Sequence, residues 1–157
     1  INPKGSVPCL QLDNGQLLTE GPIICQYLAD LANNTQLMPA SGTLARYRVM
    51  EWQNYITSEL HKSFSPLFNP NAGAETKALF AEQLKNKFTW LSSKLEHTAY
   101  LTGDNFTAAD AYLFVVTNWS KFVGLDLSHL SALQAFMQRV ATRPAVQMAL
   151  KTEGLIK

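Results

Sequence analysis

Four short stretches of this 157-residue chain carry residue types able to do chemistry. The first is Val7-Pro8. An X-Pro bond reaches the cis form far more readily than any other peptide bond. A proline at the entry to a strand leaves the preceding N–H and C=O free to pair with a peptide-like ligand, or it simply starts the strand. The second is Thr19-Glu20-Gly21-Pro22. Gly21 suits a helix N-cap and Pro22 the first helical position. The free N–H groups and the positive dipole end suit a carboxylate there, and Glu20 suits an ammonium. Together they match the two charged groups of an amino acid. The plain alternative is an ordinary capped helix with a solvated Glu. The third is Glu59-Leu60-His61-Lys62, at the end of a long helical pattern. His61 and Lys62 either complement the negative dipole end or line a cleft and touch an anionic ligand.

The fourth stretch, Thr107-Ala108-Ala109-Asp110, has the spacing of a capping box, with Thr107 as N-cap and Asp110 reaching back to it. That is a structural device, and Asp110 is not assigned to catalysis. Tyr112 and Trp119 are seven residues apart and share a helical face, as core or as pocket wall. Cys25, among Ile23, Ile24 and Tyr27, reads as buried and inert. Cys9 reads as a packed thiol, and His97 and His129 as surface residues. No set of His, Cys and carboxylates has metal-ligand spacing, so no metal is expected.

These residues need elements to position them. Val7–Leu12 and Gln16–Thr19 are alternating runs around Asp13-Asn14-Gly15, and an Asn-Gly step between such runs signals a hairpin. From Pro22 to Ala32 the period becomes helical, with Ile23, Tyr27 and Leu31 on one face. Asn33-Asn34 and the segment Met38–Gly42 read as a loop and a domain boundary. Beyond it the pattern is helical throughout. A long helix is expected over Thr43–Lys62, interrupted by Pro66 and Pro70. Further helices are expected over Lys77–Leu95, Thr107–Val123, Ser131–Thr142 and Pro144–Lys151.

The bulk numbers exclude some classes. Net charge is +1, with 46% hydrophobic and 16% charged residues. This is ordinary globular composition, with no basic surplus for nucleic acid. The apolar runs are far short of a bilayer span, so no membrane is expected. No secretory signal precedes the first motif, and the first residue is Ile rather than Met. Two cysteines without a CxxC fit a reducing, cytoplasmic compartment and a fold free of disulfides.

Taken in order, the segments NPKGSVPCL, LDNGQLLTEGPIICQYLAD, RYRVMEWQNYITSELHKSF, FTAADAYLF and FMQRVATRPAVQMAL resemble a cytosolic glutathione S-transferase. The Glu-Leu-His-Lys step resembles the bacterial beta class in particular. The resemblance implies an α+β chain, mostly helical. Residues 1–34 would be the hairpin-plus-helix part of a thioredoxin-like domain, 35–42 a linker, and 43–157 an all-helical C-terminal domain. The family's first strand, helix and second strand would precede Ile1.

The resemblance also implies roles. Val7, before a cis Pro8, pairs its backbone with the cysteinyl unit of glutathione. Glu20 binds the γ-glutamyl ammonium, and Gly21 offers its N–H to the γ-glutamyl carboxylate. Many relatives have Ser at the Gly21 position, so one hydrogen bond is missing here. His61 and Lys62 lie near the thiol and the glycyl end, with His61 as the catalytic candidate of this chain. Asn54 and Glu59 reach the glutathione of a neighbouring subunit. Phe64, Tyr112 and Trp119 wall the pocket of an apolar co-substrate, and Asp110 is the family's structural cap. The beta-class cysteine near the glutathione sulfur matches neither Cys9 nor Cys25. The implied reaction is attack of the glutathione thiolate on a hydrophobic electrophile, in a homodimer, without a further cofactor. Thiol–disulfide exchange, peroxide reduction and a non-catalytic binding role are the alternatives.

Overall fold

The computed structural model describes residues 1–157. Two short strands, β1 (Cys9–Gln11) and β2 (Leu17–Thr19), pair antiparallel with Cys9 opposite Thr19 and Gln11 opposite Leu17. The connecting loop closes through Gly15 N–H to the Leu12 carbonyl at 2.8 Å. Gly15 sits at φ 82°, a left-handed position that glycine takes without steric cost. The Val7–Pro8 bond is cis. The hairpin is thus where the Asn-Gly step places it, though its strands are shorter than the alternating runs.

Seven α-helices follow: α1 (Gly21–Leu31), α2 (Leu44–Tyr55), α3 (Lys62–Phe68), α4 (Ala74–Leu95), α5 (Ala108–Asn118), α6 (Ser131–Ala141) and α7 (Pro144–Thr152). The chain is therefore α+β and mostly helical. Phe88, Leu91, Leu113, Leu133 and Phe136 are buried at the centre of the helical core. Ala29 of α1 and Met38 belong to the same apolar cluster. The 35–42 segment is anchored: Met38 is fully enclosed, and the Leu37 carbonyl accepts from Ala108 N–H at 2.9 Å. Arg46 on α2 grips Asp30 on α1 with two 2.8 Å bonds and also donates to the Pro39 carbonyl. A planar guanidinium held in this way fixes direction as well as distance, so α1 is oriented against α2. No helix is long and apolar enough to cross a membrane.

The long helix departs from expectation in two ways. It does not break at Pro66, which lies inside α3. It ends at Phe68, where Asn69 turns extended immediately before Pro70. A residue before proline is pushed out of the helical region, and Pro70 enforces that stop. Between α2 and α3 the helix also widens into a π turn over Ile56–His61. The Lys62 N–H reaches back to the Thr57 carbonyl, one residue further than in an α-helix. Around this turn the Glu59 carbonyl accepts from Ser63 Oγ at 2.7 Å and Lys87 Nζ at 2.9 Å. Lys87 comes from α4 and pairs at the same time with the Glu59 carboxylate at 3.0 Å. The wide turn is thus clamped from a neighbouring helix. It carries His61 at its end.

Candidate functional site

The N-terminus of α1 and the end of the π turn bring the candidate residues together. The N-cap expected at Gly21 falls instead on Glu20, which has φ 72°. Glu20, not Gly21, is the N-cap, and Gly21 is the first helical residue. The reason is local. Pro22 takes the second helical position rather than the first, so the cap moves one residue earlier than the glycine. Non-glycine residues held in this region cost backbone strain and concentrate at ligand sites. The Gly21 backbone has ordinary space around it: a Cβ built there would lie 3.6 Å from Pro8 Cγ. Pro8 and Gly21 are therefore neighbours, and Val7 is almost wholly exposed beside them.

Glu20 already has a cation. Lys4 Nζ lies 2.6 Å from its Oε1 and 2.9 Å from Thr19 Oγ1. The Lys4 ammonium holds the Glu20 carboxyl below the usual carboxylate range, and the charges of His61 and Lys62 act in the same direction. A primary ammonium thus rests on the carboxylate to which the sequence assigns an amino-acid ammonium. The chain spacing of sixteen residues between Lys4 and Glu20 carries no local signal, so sequence reasoning missed this contact.

His61 is half-buried, and its charge and that of Glu20 act on one another. Its Nδ1 is 2.7 Å from the Tyr112 hydroxyl. Trp119 meets the imidazole edge-on, with ring centres 4.6 Å apart and planes at 90°. Burial pushes the His61 pKa down, Lys62 lowers it further, and Glu20 pulls it back up. The imidazole is therefore neutral at neutral pH. The stability that the neutral ring contributes is present above its ordinary value of 6.5 and is lost as pH falls through the lowered folded value. An NMR titration is expected to place the His61 midpoint below 6.5, and Glu20→Gln to move it lower still. A midpoint at or above the ordinary value contradicts this electrostatic picture.

Tyr112 and Trp119 meet at His61, as their common face suggests. Phe64 does not wall a pocket. It is fully enclosed behind Trp119, Phe68 and Phe88, and belongs to the core. The open apolar space lies on the other side of Trp119. A groove of about 840 Å³ runs between α5, α6 and the C-terminal segment, lined by Trp119, Val115, Phe122, Met137, Leu155 and Ile156 among others. Phe122 is 72% exposed there, and sequence reasoning missed it. Asn54 is exposed on α2, while the Glu59 carboxylate is engaged with Lys87. Cys25 is half-buried rather than enclosed, and burial pushes its thiol pKa up. Cys9 is likewise half-buried in β1, and His97 and His129 are exposed. No group of His, Cys and carboxylates is arranged to hold a metal.

Residues 55–144 match the family model for the glutathione S-transferase C-terminal domain, and residues 1–31 the model for the N-terminal domain. The chain belongs to the glutathione S-transferase family. Glutathione S-transferase GstA of Escherichia coli O157:H7 is 48% identical over 155 residues, covering 99% of this chain and 77% of the relative. A ternary complex of BphK, a bacterial glutathione S-transferase, superposes with a TM-score of 0.94 at 53% identity, covering 97% of this chain and 76% of that one. The bacterial beta class transferase of Sphingomonas chungbukensis gives 0.95 at 42% identity, covering 99% and 77%. For a glutathione S-transferase, a carboxylate at an open helix start facing a neutral imidazole and an ammonium is a chemically sensible pairing. A carboxylate suits an ammonium, and an imidazole with an ammonium beside it suits an anion.

Proposed function

We propose that this chain binds glutathione and supports its transfer to hydrophobic electrophiles. The observation that carries the reading is the junction of three elements in a chain of this family. The strained Glu20 opens α1, the exposed Val7–Pro8 edge runs beside it, and the charges of His61 and Lys62 at the end of the π turn bear on its carboxylate. Glu20 takes the γ-glutamyl ammonium, displacing Lys4. The Gly21 N–H takes the γ-glutamyl carboxylate, and the Val7 backbone pairs with the cysteinyl unit. Lys62 and His61 face the sulfur and the glycyl end.

A free thiol titrates near pH 8.5, so only a minority is ionised at neutral pH. The positive charge of Lys62 and an N–H of neutral His61 favour the thiolate, whose proton leaves to solvent. The sulfur then forms a C–S bond with the electrophilic carbon, and the leaving group departs with its electron pair. Tyr112, Trp119 and the groove beyond them, including Phe122, take the apolar part of the electrophile. No further cofactor is needed. Cys25, with its thiol pKa raised, is poorly suited to disulfide chemistry.

The test is an assay of the intact protein with glutathione and an aryl halide, run beside one with a mixed disulfide. Turnover with the halide is expected, reduced in His61→Ala with the fold retained. Turnover with the disulfide alone, or unchanged kinetics in His61→Ala, defeats the reading.

We also propose a homodimer through α2 and α4, with Asn54 and Glu59 reaching the second glutathione. Trp52, Tyr55 and Trp90 form a surface-reaching aromatic cluster on those helices, with Trp90 5.1 Å from Tyr55. Residues 1–34 and 43–157 would act as two lobes of one site. The unpaired cysteines fit a reducing, cytoplasmic setting. Sedimentation of a strictly monomeric species at micromolar concentration counts against the dimer.

A further inference from the structure

The geometry points to Tyr112 as the positioning residue that fixes the tautomer of His61, so that Nε2–H is the group offered to the glutathione sulfur. This rests on the glutathione reading above.

The hydroxyl of Tyr112 has two neighbours, His61 Nδ1 at 2.7 Å and Thr57 Oγ1 at 3.4 Å. Thr57 has one hydroxyl proton, and it is directed at the Gln53 carbonyl, 2.8 Å away. The Tyr112 proton therefore has two possible acceptors. A 2.7 Å contact is a strong O–H hydrogen bond, whereas 3.4 Å is near the limit of one. The proton goes to Nδ1. In a neutral imidazole the two nitrogens have opposite roles, one donor and one acceptor. With Nδ1 accepting, Nε2 carries the hydrogen.

The reverse arrangement requires Nδ1–H to donate to Tyr112. It would leave the tyrosine proton only the 3.4 Å contact with Thr57. The short contact would then be an N–H···O bond at 2.7 Å, tighter than the usual length of about 2.9–3.0 Å for that donor and ordinary for an O–H donor, and the tyrosine proton would be poorly bonded in a half-buried site, so this arrangement is disfavoured. No other protein group bonds the ring, so Nε2 is the atom left for a ligand. Trp119, edge-on at 4.6 Å, holds the ring plane. A preorganised N–H aimed at a developing or resident anion loses no reorganisation energy when the anion arrives. Tyr112 thus acts on the sulfur through His61 and not by wall contact alone. Three groups from two elements make this arrangement: Tyr112 from α5, and Thr57 and His61 from the two ends of the π turn. Thr57 and His61 are four residues apart, and both are presented to one tyrosine hydroxyl.

The experiment uses the full chain labelled with nitrogen-15 histidine. The wild-type His61 spectrum is expected to show a protonated Nε2 and an unprotonated Nδ1. Tyr112→Phe is expected to give a mixed-tautomer spectrum. With glutathione and an aryl halide, the same variant is expected to lose about tenfold in kcat, the equivalent of one unit in the bound thiol pKa. KM for glutathione should stay within about twofold, because Tyr112 does not touch the amino-acid head. The inference is overturned if wild-type His61 carries its proton on Nδ1, or if Tyr112→Phe changes neither tautomer nor kcat. The wild-type spectrum needs neither turnover nor a folded variant, so it tests the tautomer independently. A wild type with the stated tautomer that binds no glutathione defeats the functional reading, and with it the role given to Nε2–H.

Discussion

Asp110→Ala is expected to lower the unfolding free energy by about 3–5 kcal/mol, the sum of several buried hydrogen bonds left unmade. Asp110 is fully enclosed. Its Oδ1 accepts from the Leu101 N–H at 2.9 Å. Its Oδ2 accepts from the Thr107 N–H and from Thr107 Oγ1, both at 2.8 Å. Burial pushes its carboxyl pKa up, and these same donors pull it back down. Alanine leaves the two backbone N–H groups and one hydroxyl without an acceptor in a site that solvent does not reach. A chain of this size loses roughly 2–4 °C in Tm for each kcal/mol, so a drop on the order of 6–20 °C should appear in a thermal melt.

Asp110→Asn separates the bonds from the shape. The amide oxygen still serves the Leu101 N–H. The amide nitrogen then faces the Thr107 N–H, donor against donor. Asparagine is therefore expected to recover only part of the loss, despite near-identical volume. Full recovery in Asn would mean that packing, not hydrogen bonding, holds the turn. Per folded molecule, the affinity for glutathione should be unchanged, because Asp110 supports α5 and touches no ligand group.

The contrast between what was legible and what was not follows the range of each interaction. The Thr107 and Asp110 pair is three residues apart, and the spacing alone declares it. The Leu101 partner is a loop contact nine residues back, and nothing in the spacing announces it. The hairpin was legible because Asn14-Gly15 is a local backbone demand. The site itself was legible mainly through the order of motifs, each of which has a plain structural alternative. Lys4 on Glu20 and Lys87 on Glu59 are tertiary ion pairs with no sequence signature. The π turn adds one residue to a helical turn, a change too small for a hydrophobic period to register. Phe64 was placed at the pocket by the resemblance alone, and its enclosure among Trp119, Phe68 and Phe88 is a tertiary contact that its place in the chain does not announce. The Gly-Pro step made Gly21 the natural cap, yet the cap is Glu20, and the strain rests on the residue with the carboxylate.

That displacement sets up the second large effect. Glu20→Gly is expected to weaken glutathione binding by about tenfold to a hundredfold, the scale of a charge-assisted hydrogen bond to an ammonium. Stability should stay level or rise, because glycine adopts φ 72° without the steric penalty that glutamate bears. The exposed Lys4–Glu20 pair offsets little of this, since surface ion pairs contribute little in water and are screened by salt. Glu20→Gln keeps the strain and removes only the charge. It should bind nearly as poorly as glycine while melting no higher than wild type. Calorimetric titration with glutathione and a thermal melt on the same samples read both quantities. Binding within twofold of wild type in both variants would remove Glu20 from the site. A lower melting point in Glu20→Gly would show that its backbone is not strained. Asp110 and Glu20 are thus opposite cases at the openings of two helices. One carboxylate is spent wholly on its own chain, and the other is kept at a conformational cost with only an exposed lysine upon it.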